Sequence, residues 1–216
     1  MTLDSAIFLG ALICLFGIPN NSYATESLNH EPQVKVVING QQVTVDVKIV
    51  LPVTQQQAWS VWTDYENMPG FIPSLKESRI VARQGNTYQL YQRGLSQHGP
   101  ITFTFETHHE DEQILPHEII RSHQVKGSLK SLTATTKFLA DNDQTRIVYH
   151  AESVSGFWLP PIVAKLFIEH ETATHYRLMR DEVLRRLATN APPEQTKLSL
   201  NKHQTNKQLL EPSTAD

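Results

Sequence analysis

The chain has 216 residues, of which 39% are hydrophobic and 19% charged, so it can bury one globular core. Its 19 basic and 22 acidic side chains give a formal net charge of −3, which excludes the basic surface of a general nucleic-acid binder. The one cysteine, Cys14, excludes a disulfide framework and a cysteine-based zinc or redox site. We therefore expect one domain that needs no cofactor, with an additional segment at each end.

The N-terminus has the pattern of an export signal. Residues 6–18 are an uncharged apolar run that is too short to span a bilayer, and Ser22 and Ala24 supply the small residues of a cleavage site. Asp4 precedes the run where basic residues are usual. The sequence predicts a signal peptide over residues 1–24 and an exported protein, periplasmic if the host is Gram-negative. The alternative is an uncleaved segment that anchors the chain to the inner membrane.

The C-terminus has the composition of a disordered tail. Residues 190–216 contain no aromatic side chain, and their three lysines balance three acids. Such a stretch buries too little apolar surface to offset the entropy lost on ordering. We expect a folded domain over residues 33–189 and a polar tail after it. One hypothesis gives this tail a role in binding another envelope protein.

The domain opens with a hairpin. Asn39-Gly40 is a two-residue turn signal, and it joins a strand at Val34–Ile38 to an alternating strand at Val43–Leu51. Two short helices follow. Thr54 and Gln57 form a capping box at the start of the first, and residues 64–70 form a second helical turn.

The next 80 residues or so have the alternation of antiparallel strands. The clear strand candidates are residues 101–106, 131–138 and 146–151, and the weaker ones are residues 78–83, 87–93 and 117–123. Turn residues separate these runs, as at Gly85-Asn86 and Asp141-Asn142-Asp143. The pattern predicts a curved meander of six to seven antiparallel strands.

A long helix ends the domain. Pro160 and Pro161 suit its first turn, and no glycine or proline interrupts the chain from there to Ala188. Its apolar stripe consists of Ile162, Leu166, Ala173, Tyr176, Met179, Val183 and Leu187. The middle of this helix is small and polar, at Glu169, Thr172 and Ala173, which indicates a cavity between helix and sheet.

The segment Val53–Pro73, VTQQQAWSVWTDYENMPGFIP, resembles the opening motif of the polyketide cyclase/dehydrase and coenzyme Q-binding families of the START-like (SRPBCC) superfamily. The strand at residues 78–81 and the segments 127–129 and 143–149 are similar to later parts of these families. The resemblance implies an α+β helix-grip fold, in which the sheet wraps around the C-terminal helix. It also implies a hydrophobic cavity roofed by that helix.

The resemblance implies a carrier or an enzyme. Our first hypothesis is an exported, non-enzymatic carrier of a lipid, isoprenoid quinone or polyketide-like molecule, and the alternative is a cyclase or dehydratase. We expect eight residues to line the cavity: Phe103, Phe105, Trp158, Leu166, Glu169, Thr172, Ala173 and Tyr176. The acid/base candidates of the enzyme hypothesis are Glu169, His170, Tyr176, Arg121 and His123. The loop Phe157-Trp158-Leu159 is expected near the cavity mouth, as a gate, a transient membrane contact or simple packing.

The ten histidines do not make a recognisable metal site. His108 and His109 are adjacent, so a regular strand would point them to opposite faces. Because Glu110 and Asp111 follow them, we expect this stretch to be an exposed loop at a strand end. His170 and His175 are five residues apart, whereas a zinc-protease helix needs histidines at i and i+4.

Overall fold

The computed structural model describes residues 30–98, 101–156 and 160–190. The predicted export signal, the predicted tail from residue 191 onward and the Phe157–Leu159 loop lie outside these ranges. The described residues form eight strands, two α-helices and one 3-10 helix. The strands are β1 (Gln33–Asn39), β2 (Gln42–Leu51), β3 (Leu75–Gln84), β4 (Thr87–His98), β5 (Ile101–Leu115), β6 (Ile119–Gly127), β7 (Ser131–Asp141) and β8 (Gln144–Val154). The helices are α1 (Gln55–Trp62), the 3-10 helix (Tyr65–Gly70) and α2 (Pro161–Asn190).

All eight strands form one antiparallel sheet in the order β1-β2-β8-β7-β6-β5-β4-β3. Strands β3 to β8 make a meander, and the β1-β2 hairpin joins it through pairing of β2 with β8. The α+β helix-grip prediction is confirmed, with one or two more strands than predicted. Helix α1 and the 3-10 helix carry the chain from β2 to the far edge of the sheet, where β3 begins.

The local signals of the hairpin and of α1 act as predicted. Gly40 has a φ of 61°, a conformation that glycine adopts without steric cost. The Gln57 amide donates to Thr54 Oγ1 over 3.3 Å, and the Thr54 amide donates to Gln57 Oε1 over 2.9 Å. This capping box starts α1 and fixes the direction in which it leaves β2.

The core lies where α1 and the C-terminal half of α2 cover one face of the sheet, which we call the inner face. Phe138 of β7 packs edge-on against Trp59 and Trp62, at ring-centroid distances of 5.2 and 5.8 Å. Met179 and Val183 of α2 are 1% and 2% exposed in the same cluster. The C-terminal half of α2 is therefore firmly seated on the sheet and on α1.

The stretch His108–Asp111 was expected in an exposed loop, and that expectation is wrong. Strand β5 continues through it to Leu115, and Asp111 is buried on the inner face. The apolar alternation of β5 stops after Phe105, because the following inward positions carry polar side chains. Without apolar residues on the inner face, a strand gives no periodic hydrophobic signal. The separation of His108 and His109 onto opposite faces agrees with the sequence.

The predicted stripe of α2 divides into two halves. Tyr176, Met179 and Val183 are buried, whereas Ile162 and Leu166 are 76% and 61% exposed. In the N-terminal half of α2, Ile162 and Leu166 thus remain largely exposed in the described structure, whereas Ala164 is buried. None of the helices that the structure describes combines the length and the hydropathy needed to cross a membrane.

Candidate ligand-binding site

The N-terminal half of α2 presents apolar surface beside the inner face of the sheet. Ile162 and Leu166 are largely exposed, and Val163 is 37% exposed. On the same half, the ring of Phe167 meets the ring of Phe103 on β5 edge-on at 6.4 Å. This contact connects the first turns of α2 to the sheet at its open end, away from the main core.

The inner face of the sheet carries a row of small side chains. Ser122, Ala134 and Ala151 are register partners on β6, β7 and β8. Thr172 and Ala173, in the middle of α2, are also small and half-buried. Small side chains on both layers fill little of the space between a helix and a sheet, so this arrangement favours an interior ligand site.

Aromatic rings form the boundary between this region and the core. Tyr176 is 6% exposed and lies between Trp62 and Tyr149, with ring centroids at 6.0 and 5.9 Å. Burial raises the pKa of Tyr176 well above its usual value and that of Tyr149 to about 12, so both phenols are neutral at physiological pH. Rings of this kind offer apolar faces together with a hydroxyl that can hydrogen-bond a ligand.

A polar cluster lies on the inner face of β5, next to the row of small residues. Asp111 pairs in register with Tyr88 of β4 and Ser122 of β6. Its Oδ1 atom is 3.8 Å from Nε2 of His109, and their side chains are 10% and 13% exposed. Tyr65, from the 3-10 helix, is 3% exposed, and its ring packs on that of Tyr88 at 5.7 Å.

Two atoms of this cluster have unsatisfied hydrogen-bonding capacity. Both Asp111 Oδ1 and the Tyr65 hydroxyl are buried without a hydrogen-bond partner among the described residues. Burial raises the pKa of Tyr65, and the nearby charge of Asp111 raises it further. Burial lowers the pKa of His109 against the opposing effect of Asp111, which keeps its imidazole neutral near pH 7. The cluster thus combines a carboxylate, a neutral imidazole and a phenol in a water-poor setting.

The predicted site residues fall into three groups. Phe103, Phe105 and Tyr176 lie on inward-facing positions, and Thr172 and Ala173 are half-buried; their role as cavity-lining residues stays a prediction. Leu166 is mostly exposed at the open end, and Trp158 lies outside the described residues.

The remaining acid/base candidates are not members of the polar cluster. Arg121 and His123 are on the outer face of β6, where they approach Glu112 at 3.9 Å and Glu110 at 3.3 Å. Glu169 forms an ion pair with Lys165 over 3.7 Å along α2, and His170 is exposed. The inner-face group of Asp111, His109 and Tyr65 was not among the candidates.

The structure offers no metal centre in its described part. No group of three or more His, Cys, Asp or Glu side chains within residues 30–98, 101–156 and 160–190 is arranged to hold a metal ion. A depression of about 450 Å³ opens at the β1-β2-β8 edge, where Lys35, Asp46 and Lys48 contribute to its lining. Val34, Val47, Val148 and Tyr149 line it as well, so this depression is partly apolar and open to solvent.

Comparisons with known proteins agree with this architecture. Residues 51–176 match the model of the family described as polyketide cyclase / dehydrase and lipid transport. No curated protein matches the sequence.

Solved structures are similar in fold at low sequence identity. An aromatase/cyclase, Zhui, from Streptomyces sp. R1128 has 13% identity and a TM-score of 0.60 over 70% of this chain and 99% of that one. A STAR-related lipid transfer protein from Xanthomonas axonopodis has 13% identity and a TM-score of 0.56 over 70% and 92%. A START superfamily protein from Mycobacterium smegmatis has 14% identity and a TM-score of 0.57 over 66% and 97%.

Proposed function

The chain belongs to the polyketide cyclase/dehydrase and lipid transport family, and from this premise we propose that it is a carrier of a hydrophobic small molecule. The ligand lies between the N-terminal half of α2 and the inner face of the sheet. The classes considered are lipids, isoprenoid quinones and polyketide-like molecules. The similar structures include both a lipid transfer protein and an aromatase/cyclase, so the fold accommodates either use.

One observation carries this proposal. The C-terminal half of α2 is buried on the core, while Ile162 and Leu166 of its N-terminal half are 76% and 61% exposed. Exposed apolar side chains grouped on one surface are typical of a ligand or membrane contact. Because Thr172 and Ala173 of the same helix are small and half-buried, we expect room below the helix for an apolar ligand that covers these side chains.

The second candidate function is an enzyme of the cyclase or dehydratase type. The observation in its favour is the polar cluster of Asp111, His109 and Tyr65 on the inner face, since buried titratable groups are common at catalytic sites. The neutral His109 could accept a proton from a ligand. Turnover of a polyketide-like substrate that is lost in His109→Ala would favour this function over the carrier.

Two further parts of the proposal concern the location of the protein and its contact with a membrane. We propose that residues 1–24 direct the chain out of the cytoplasm and that the Phe157-Trp158-Leu159 loop, next to the exposed start of α2, touches a membrane during ligand loading. Mass spectrometry of the mature N-terminus tests cleavage after Ala24. An intact Met1 in a membrane fraction would instead indicate an anchor.

A matched pair of variants tests the ligand site. Leu166 of α2 and Leu139 on the outer face of β7 are both exposed, at 61% and 43%. We expect Leu166→Ser to weaken binding of the fluorescent probe 11-(dansylamino)undecanoic acid several-fold and Leu139→Ser to leave it unchanged. Both substitutions should change the free energy of unfolding by no more than about 0.5 kcal/mol. Equal effects of the two variants on probe binding would contradict the proposed site.

A further inference from the structure

The polar cluster on β5 has a hydrogen-bonding deficit that the fold does not explain. Native proteins pair nearly all buried polar atoms, because an unpaired one costs about 1–3 kcal/mol. Here Asp111 Oδ1 and the Tyr65 hydroxyl both lack a hydrogen bond of 3.5 Å or less within the described part of the chain, although the side chains of Asp111 and Gln113 lie near the Tyr65 hydroxyl. Retaining both costs stability, so a use for them outside the folding of the chain is expected.

The position of the cluster connects it to the interior ligand site. Asp111 lies in register beside Ser122, which continues into the row of small residues formed by Ala134 and Ala151. The Asp111 and His109 side chains keep 10% and 13% of their surface exposed, although Asp111 Oδ1 itself is buried. Rotation of the Asp111 carboxylate about its last bond, which is a soft torsion, can turn either oxygen toward this exposed part.

We propose that Asp111, with Tyr65 and His109 beside it, is a polar subsite that binds the hydroxyl group of an otherwise hydrophobic ligand, an alcohol or a phenol. This inference rests on the proposed function and adds a chemical class to it. The ligand hydroxyl donates to the Asp111 carboxylate and accepts a hydrogen bond from Tyr65. A hydroxyl is both donor and acceptor, so it satisfies both atoms, whereas an ether has no hydrogen to donate to the carboxylate.

A pair of probes that differ in one hydrogen-bond donor tests the subsite. The competitors 2-naphthol and 2-methoxynaphthalene displace the dansyl probe from the full chain, and their affinities are compared. We expect the wild type to prefer the naphthol by about tenfold or more, because the ether leaves the carboxylate unpaired. Asp111→Asn and Tyr65→Phe should each reduce this preference toward unity, with the ether affinity little changed.

The outcomes separate the two proposals. Equal displacement by both compounds, displacement by neither, or a preference that survives in Asp111→Asn would overturn the subsite and leave the proposed function standing. Failure of the dansyl probe to bind the wild type would overturn the proposed function and the subsite with it.

Thermal unfolding without ligand gives an independent readout. Thr145→Val is the control, because the Thr145 hydroxyl is fully buried and donates to the Val53 carbonyl over 2.7 Å. We expect Thr145→Val to lower the Tm and Asp111→Asn to leave it unchanged or raise it. A decrease in Asp111→Asn as large as in the control would show that the carboxylate already has a partner in the fold, and would overturn the subsite.

Discussion

Glu182 is buried on α2 and binds Arg186, the side chain that bridges α2 to Asp64, and its replacement gives a pH-dependent prediction. It is 7% exposed and receives hydrogen bonds from Arg185, over 2.7 and 2.8 Å, and from Arg186, over 2.7 Å. Arg186 in turn donates to Asp64, just before the 3-10 helix, over 2.6 Å. The hydrogen bond from Arg185 is the largest cause that lowers the pKa of Glu182, from 4.5 to about 2.

The magnitude follows from this pKa. The fall of the Glu182 pKa from 4.5 to about 2 corresponds to about 3 kcal/mol before solvent screening. Arg185 is 63% exposed, so we reduce this to roughly 1–2 kcal/mol. Because the folded-state pKa is depressed, the stabilisation is fully present above pH 4.5, the ordinary pKa, and is lost as the pH falls toward about 2.

Urea unfolding of Glu182→Gln across this range tests the prediction. We expect the variant to be less stable than the wild type by roughly 1–2 kcal/mol at about pH 7, with the difference shrinking steadily below about pH 4.5. Glu118→Gln, at an exposed position, is the control and should show no such trend. A stability difference that stays constant between about pH 7 and 3, or none at neutral pH, would refute the stabilising role of the hydrogen bonds between Glu182 and the two arginines.

Three further substitutions check the fold, each by urea unfolding monitored by circular dichroism. Thr54→Ala removes the α1 capping box and should cost about 1 kcal/mol; a neutral result would show that α1 does not depend on its cap. Gly94→Ala would place a Cβ in steric conflict with the Ser74 carbonyl oxygen and the Phe105 ring, so a loss of about 2 kcal/mol or more is expected. Wild-type stability of this variant would contradict the packing. Met179→Ala removes a side chain that is 1% exposed and should cost about 2–5 kcal/mol, whereas a loss under about 1 kcal/mol would place α2 away from the core.

The elements that sequence reasoning predicted are those with apolar periodicity or local capping. The alternation of β2 and β8 and the capping box at Thr54 depend on neighbouring residues, so the sequence carries them directly. The pairing of β2 with β8 joins residues about a hundred positions apart, and no local pattern encodes such a contact.

The candidate site was predicted less completely, for a physical reason. Asp111 and His109 occupy inward positions of β5, where most strands have apolar residues. The second half of β5 therefore lacks the alternation of apolar and polar residues that identifies a strand. The same two polar residues remove the strand pattern from the sequence and form the candidate site. Such conflicts between folding preference and function are common at functional sites. On α2 the helical period placed Leu166 and Met179 on one stripe, but only the tertiary structure determines which end of the stripe is covered.

The central claim is that a hydrophobic molecule occupies the space between α2 and the sheet. Native mass spectrometry of the full chain, purified without detergent from its own host, tests this claim most directly. We expect a bound adduct that organic solvent releases, and that is lost or reduced in Leu166→Ser but kept in Leu139→Ser. A chain that carries no such adduct, and whose Tm neither a long-chain fatty acid nor an isoprenoid alcohol raises, would contradict the claim.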